Sequence, residues 1–354
     1  MAATRISLAD IARKAGVHIT TVSLALRDSP RLPATTKARI KALSEEMGYQ
    51  PDPMLSALTA YRRNAKIQQT QGTLAWITTA RDIQFPTYYR GALERCEELG
   101  YKLDQFALRE TGPARLSKVL RARNIQGLLL APQARNRAHL NLTWEEFSAV
   151  TFGFTLARPQ LHVVTNAQYR STRIGMRALR ARGYRRIGFV TTYNTEERTD
   201  QNFSAGYMVE QARLKENNRI PPLILKDISA EEQKKIFRAW YRKYRPDAIL
   251  DHYNRIPVYV KEMGISYEEC ALATMVRAQD ETEIAGIDQN DRVIGRTAVD
   301  FVVGMIHRNE RGVPPVPFRI LVQGSWVDGK SVIRRSEATS SSRRKQEEAE
   351  PVLG

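Results

Sequence analysis

From Gly72 to about residue 334, short apolar runs of strand length alternate with amphipathic helical stretches, and this alternation is the strongest constraint on the fold. The strand-like runs fall at 74–78, 102–106, 127–131, 149–153, 186–191, 223–225, 248–250 and 270–274. Helical stretches lie between them at about 88–99, 115–123, 169–182, 203–217 and 231–244. Such alternation predicts an α/β domain with parallel sheets. About 260 residues exceed what one sheet readily organises, so two lobes are expected.

The first 48 residues follow a different rule. Leu8, Ile11, Ala12 and Ala15 form an apolar stripe two turns long, and Gly16 stands where a helix would end in a left-handed turn. A second stripe, Val22, Ala25 and Leu26, begins a few residues later, and a third runs through Ile40, Leu43 and Met47 to Gly48. Two short helices joined around a glycine predict a helix-turn-helix. In that geometry the small Ala12 lets the helices cross closely, while Val17 and Val22 fill the space between them. The second helix presents Ile19, Thr20, Thr21, Ser23 and Leu24 outward, where side chains reach base edges.

The run from Ser7 to Ser23, SLADIARKAGVHITTVS, resembles the headpiece of the lac-repressor (LacI/GalR) family of bacterial transcriptional regulators. The likeness continues through Thr36-Lys37-Ala38-Arg39-Ile40 and Met47-Gly48-Tyr49-Gln50-Pro51. It implies sequence-specific operator binding, most simply as a repressor, by a homodimer or tetramer. His18 stands where the family usually has a serine cap on the recognition helix; either its imidazole caps that helix or the cap is weaker by about 1 kcal/mol. By the same resemblance Ile19, Thr20 and Leu24 are the specificity positions. Two of them are apolar, which suits thymine methyl groups and groove shape rather than hydrogen-bonded readout. Phosphate anchoring would fall to Ser7, Thr21, Ser23, Arg27 and Lys37.

After the break at Pro51-Asp52-Pro53, a short helical stretch runs to about Tyr61, with Asp52 suited to its N-cap. A helix of about eight residues is marginal alone in water. In the family this segment folds on DNA against its dimer mate; Met54 aligns with the contact between paired helices and Leu58 with a minor-groove wedge that kinks the duplex.

The α/β remainder resembles the two-lobed, periplasmic-binding-protein-like (type I) core of the same family. Its landmarks include Tyr89-Arg90-Gly91-Ala92, Gly127-Leu128-Leu129-Leu130, Ala205-Gly206-Tyr207 and Ala285-Gly286-Ile287-Asp288. The expected organisation is a headpiece at 1–50, hinge helix and linker at 51–71, an effector-binding and dimerisation domain at 72–334, and a disordered tail at 335–354. The resemblance implies chain crossings between lobes near 164–166, 284–288 and 320–324, and a small-molecule effector in the cleft between lobes. Thr79, Arg81, Phe85, Arg198, Phe203, His252 and Tyr253 are its candidate cleft residues by position. Sugar-binding members carry an arginine, an Asn-Asp pair and an aspartate at sites where this chain has Phe203, Tyr253-Asn254 and Val276. An ordinary pyranose is therefore not expected; the effector differs, or the cleft is vestigial.

Other chemistry finds little support. The five histidines are widely separated in sequence, Cys96 and Cys270 stand alone, and no phosphate-loop or nucleophile-elbow motif occurs, so no cofactor, metal or enzymatic activity is expected. No secretory or membrane-spanning segment is apparent, which points to a cytoplasmic protein without membrane partners. The net charge of +17 favours polyanionic partners such as nucleic acid. Only +6 of it falls within residues 1–66, and residues 67–329 carry +9 without a specific cause. The rival reading is a small-molecule-binding protein with vestigial or no DNA regulation.

Overall fold

The computed structural model describes residues 7–26, 32–47, 49, 71–79, 85–252, 255–278 and 280–335. The chain divides into two compact units, Met1–Gln69 and Thr70–Gly354.

In the first unit, three helices, α1 (Leu8–Ala15), α2 (Ile19–Leu26) and α3 (Ala34–Glu46), enclose a small core. Ile11, Ala12, Val22, Ala25 and Ile40 are buried there, with Leu8, Val17, Leu26, Leu43 and Met47 packed around them. These are the apolar stripe positions, so the helical periodicity is what folds this unit. The expected hinge helix, with Met54 and Leu58, lies outside the described residues.

The second unit holds two six-stranded sheets. Its first elements are β1 (Gly72–Thr78), α4 (Pro86–Glu98), β2 (Tyr101–Ala107), α5 (Leu108–Thr111), α6 (Pro113–Ala122), β3 (Gly127–Leu130), β4 (Ala138–His139), β5 (Ser148–Phe152), β6 (Leu156–Arg158) and β7 (His162–Asn166). There follow α7 (Gln168–Ala181), β8 (Ile187–Thr192), α8 (Tyr193–Arg198), α9 (Asn202–Gln211), β9 (Leu223–Leu225), α10 (Ala230–Tyr244), β10 (Ala248–Asp251), α11 (Ile256–Glu262) and β11 (Ala271–Thr274). The last are β12 (Ala285–Asp288), α12 (Asp291–Arg308), β13 (Arg319–Val322) and β14 (Ser325–Val327).

The first lobe's sheet runs β13-β7-β5-β3-β1-β2 and is parallel throughout. One face buries Trp76, Leu129, Val150 and Val164 under α4 and α12; the other buries Ile77, Leu128 and Leu130 under Leu116 and Leu120 of α6. Where α4 and α12 cross, a Cβ added to Gly295 would overlap the Tyr88 carbonyl oxygen, so only glycine permits that approach. The second lobe's sheet runs β14-β12-β11-β10-β8-β9 and is parallel except for β14, which pairs antiparallel with β12. Met176 and Tyr207 lie in the cluster on one side of it, and Phe237, Trp240 and Tyr259 in that on the other.

The chain passes between the sheets three times, after β7, after β12 and after β13. The crossings are tied to one another: Ala167 donates its N–H to the Val322 carbonyl at 2.8 Å, and the Asn290 amide donates to the Gln323 carbonyl at 2.8 Å.

Several sequence expectations are corrected. The longest helix, α12, was not expected, nor were β7, β12, β13 and β14 as strands. The helix expected at 203–217 stops at Gln211, because the Gln211 amide turns into the lobe, donating to the Ile187 carbonyl and accepting the Ile220 N–H at 2.8 Å. Cys270 is buried one residue ahead of β11 rather than within it.

Among the described residues, no helix is long and apolar enough to cross a membrane. No group of three or more His, Cys, Asp or Glu among them could hold a metal ion.

Candidate nucleic-acid interface and ligand cleft

The headpiece is built on its caps. Ser7 and Asp10 form a reciprocal capping box on α1: Asp10 donates its N–H to Ser7 Oγ at 3.3 Å, and the Ser7 N–H donates to Asp10 Oδ2 at 3.0 Å. The Ser7 hydroxyl, and after it the Ser7 N–H, hold the Asp10 carboxyl below its ordinary range. The Ser7 hydroxyl also donates to Asp10 Oδ2 at 2.6 Å, so this expected phosphate anchor already has a capping role. Gly16 closes α1 at φ 67°, and Val17 donates to the Ala12 carbonyl at 3.1 Å.

The tight turn sets His18 ahead of α2. Its carbonyl accepts the N–H groups of Thr21 and Val22, the first bonds of the helix. Its Nδ1 accepts the Thr20 N–H at 3.4 Å and lies 2.9 Å from Thr20 Oγ1. Of the two readings of His18, the geometry favours an imidazole cap, made with long geometry.

His18, Ile19 and Thr20 are exposed, while Thr21, Ser23 and Leu24 are half-buried on the same helix. Ile19 leaves 40% of its surface in solvent, although Val22 and Ala25 of α2 are fully buried. Lys37, half-buried, lies in the first turn of α3, a helix that starts without a side-chain cap. Arg27, Met54 and Leu58 lie outside the described residues. Sequence reasoning missed Arg39, whose guanidinium donates to the Ala15 carbonyl at 3.3 Å, placing a cation at the C-terminus of α1.

The cleft candidates sit at the carboxyl ends of strands or just beyond, where open α/β sheets bind ligands. Thr79 follows β1 and its Oγ1 accepts the Ala134 N–H at 3.3 Å. Phe85 precedes α4 in a left-handed conformation, φ 63°, with 40% of its surface exposed. Arg198 ends α8 and donates to Asn136 Oδ1 at 3.2 Å across the lobes, while the Asn136 amide donates to Asn194 Oδ1 at 3.0 Å. Burial lowers the Arg198 pKa, and no carboxylate among the described residues pairs with it.

His252 follows β10 and packs on Phe203, with ring centroids 4.5 Å apart. Burial pushes its pKa down to about 4, so the imidazole is neutral at neutral pH. Its buried Nδ1 lacks a hydrogen-bond partner among the described residues. Phe203 itself is 1% exposed and belongs to the core of the second lobe, so it backs His252 and is not an open wall. That corrects its placement as a cleft-facing residue. Arg81 and Tyr253 lie outside the described residues.

Residues 7–52 match the model of the bacterial regulatory proteins of the lacI family. Over 130 residues the chain is 30% identical to the HTH-type transcriptional regulator DegA of Bacillus subtilis (strain 168), a match taking in 34% of this chain and 35% of the relative. It thus spans about a third of that protein's length. Among solved structures it resembles the lac repressor dimer bound to operator and the anti-inducer ONPF, at TM-score 0.54 and 16% identity, over 93% of this chain and all of the other. It also resembles a regulatory protein of the LacI family from Chloroflexus aggregans, at TM-score 0.55 and 16% identity, over 74% of this chain and 99% of the other. Residues 7–52 thus carry the signature of the bacterial regulatory proteins of the lacI family, and the remainder shares its fold with these solved structures.

Proposed function

We propose that the protein is a sequence-specific transcriptional regulator, acting as a repressor, that binds a palindromic operator as a homodimer and responds to a small-molecule effector in the inter-lobe cleft. The observation that carries this reading is the first turn of α2. His18, Ile19 and Thr20 stand exposed at the helix start, while the opposite face of the same eight residues is fully buried. A short rigid helix that presents its N-terminal side chains suits insertion in a major groove. Thr21, Ser23, Arg27 and Lys37 would then contact phosphates, and paired segments around Met54 and Leu58 would bridge the half-sites at the minor groove. Action on DNA places the protein in the cytoplasm. The role is regulatory rather than enzymatic.

The lac repressor is solved with operator and an anti-inducer together, which supports extending both partners to this chain. In the cleft, Thr79, Phe85, Arg198 and His252 would meet the effector, with Arg81 and Tyr253 beside them. Arg198 and His252 both retain hydrogen-bonding capacity there. Effector binding would shift lobe closure about the three crossings, with a coupling of about 1–3 kcal/mol to operator affinity.

The test is selection from fragmented genomic DNA at several salt concentrations. Enrichment of a fragment carrying an inverted repeat is expected, with affinity falling steeply as salt rises. Capture of all fragments alike, with and without metabolite extract, would reject the reading.

A further inference from the structure

One cavity among the described residues lies apart from the expected cleft residues. It lies against β5, β7 and the start of β13, on the sheet face away from α4 and α12, and measures about 530 Å³. That is within the range of small-molecule sites. None of the cleft candidates lines it. Arg137, Arg158 and Arg319 do, with Phe154, Leu161 and Pro317 supplying apolar wall. The single carboxylate in the lining is Asp200, which reaches over from the second lobe and pairs with Arg319 at 3.4 Å. Arg319 also lies over the Phe154 ring, 5.1 Å from its centroid. The guanidinium groups of Arg137 and Arg158 have no ion pair or hydrogen bond among the described residues, and Arg137 is held at a left-handed φ of 54°. Three guanidiniums thus line one cavity with one carboxylate, a net positive lining that favours an anion. Guanidinium forks match phosphate and carboxylate oxygens bidentately.

We infer that this cavity is a second ligand site, for a small dianion carrying an apolar group such as a phosphate monoester. The anion takes Arg137, Arg158 and Arg319; the apolar group rests on Phe154 and Leu161. Because Arg319 leaves Asp200 to reach the ligand, occupancy breaks a contact between the lobes. The site is thereby linked to lobe closure, and it accounts for part of the basic excess of this domain.

The experiment is calorimetric titration of the full chain with phenyl phosphate, and with neutral benzyl alcohol, at constant ionic strength. Saturable binding of phenyl phosphate alone is expected. Arg137→Gln and Arg158→Gln each weaken it by about tenfold. Both side chains are exposed, and unchanged circular dichroism checks that the fold is kept. Asp200→Asn should instead tighten binding by about threefold, because it removes the competing carboxylate; Asn tolerates the left-handed φ of 53° at that position. No saturable binding, equal binding of benzyl alcohol, or affinity unmoved by Arg137→Gln and Arg158→Gln would each overturn the proposal. So would weaker binding in Asp200→Asn.

Discussion

His18 Nδ1 accepts the Thr20 N–H at 3.4 Å, so α2 is capped by an imidazole. To accept, Nδ1 must carry a lone pair, which assigns the proton to Nε2 and lets the Thr20 hydroxyl donate to Nδ1 as well. The long bond marks a weak cap. His18→Ser should stabilise α2 by about 0.5–1 kcal/mol, and His18→Ala should cost less than the ~1 kcal/mol typical of losing a serine cap. Amide exchange in α2 measures both. Exchange unchanged in His18→Ala would contradict the cap assignment, and faster exchange in His18→Ser would contradict its weakness.

Gly16 and Gly295 are required for different reasons. At Gly16 a Cβ meets nothing within 4 Å, but φ is 67°, so Gly16→Ala costs about 1 kcal/mol through the backbone alone. At Gly295 the obstacle is the Tyr88 carbonyl, and alanine must push α12 from α4 at a cost of about 1–3 kcal/mol or more. Denaturation monitored separately in the headpiece and the larger domain should place each loss in its own unit. Equal loss in both units from either substitution would contradict this separation.

The His252 pKa falls from an unfolded value near 6.5 to about 4 through burial. The neutral form is bound in the fold, so the full contribution is present above the unfolded pKa. It is lost as pH falls from about 6.5 to about 4, by at most about 3 kcal/mol. Buried Glu196 and half-buried Asp291 have raised pKa values and act with the opposite sign, so the comparison that isolates His252 is with His252→Gln. Urea unfolding at pH 7 and pH 5 should show a smaller acid loss in the variant. An identical loss would exclude His252 as the source.

The headpiece was legible because its signals are local: stripe spacing and a glycine at the turn. The first lobe's inner strands were legible for the same reason, as four or five buried residues in succession. α12 escaped because Val293, Val299, Val302 and Val303 are weak helix formers and Gly295 interrupts its run. β13 escaped as an edge strand with no fully buried residue. In the cleft, position alone suggested Arg198 and His252, but their settings depend on distant residues. The Asn136 link to Arg198 joins opposite lobes, and the Phe203 stack on His252 spans two elements. The left-handed backbone at Phe85 has no signature in residue type.

Leu58 tests the hinge. Leu58→Ala should weaken binding to the selected operator by about tenfold or more while leaving random DNA nearly unaffected, since kinking is repaid only where both half-sites are held. Fluorescence anisotropy on the two DNAs measures this. Equal losses on both would remove the wedge role.

The central claim is that α2 reads bases while its neighbours hold phosphates. Its most direct measurement compares Ile19→Ala, Thr20→Ala and Lys37→Ala on the selected operator and on copies altered base by base, across a range of salt. The account predicts that the α2 substitutions relax preference at particular symmetric base pairs, by about 1–3 kcal/mol per pair, with the salt slope unchanged. Lys37→Ala should weaken every sequence alike and, with two copies in the dimer, reduce the slope by about two. If Ile19→Ala and Thr20→Ala leave the base preference intact, α2 is not the reading helix and the account fails.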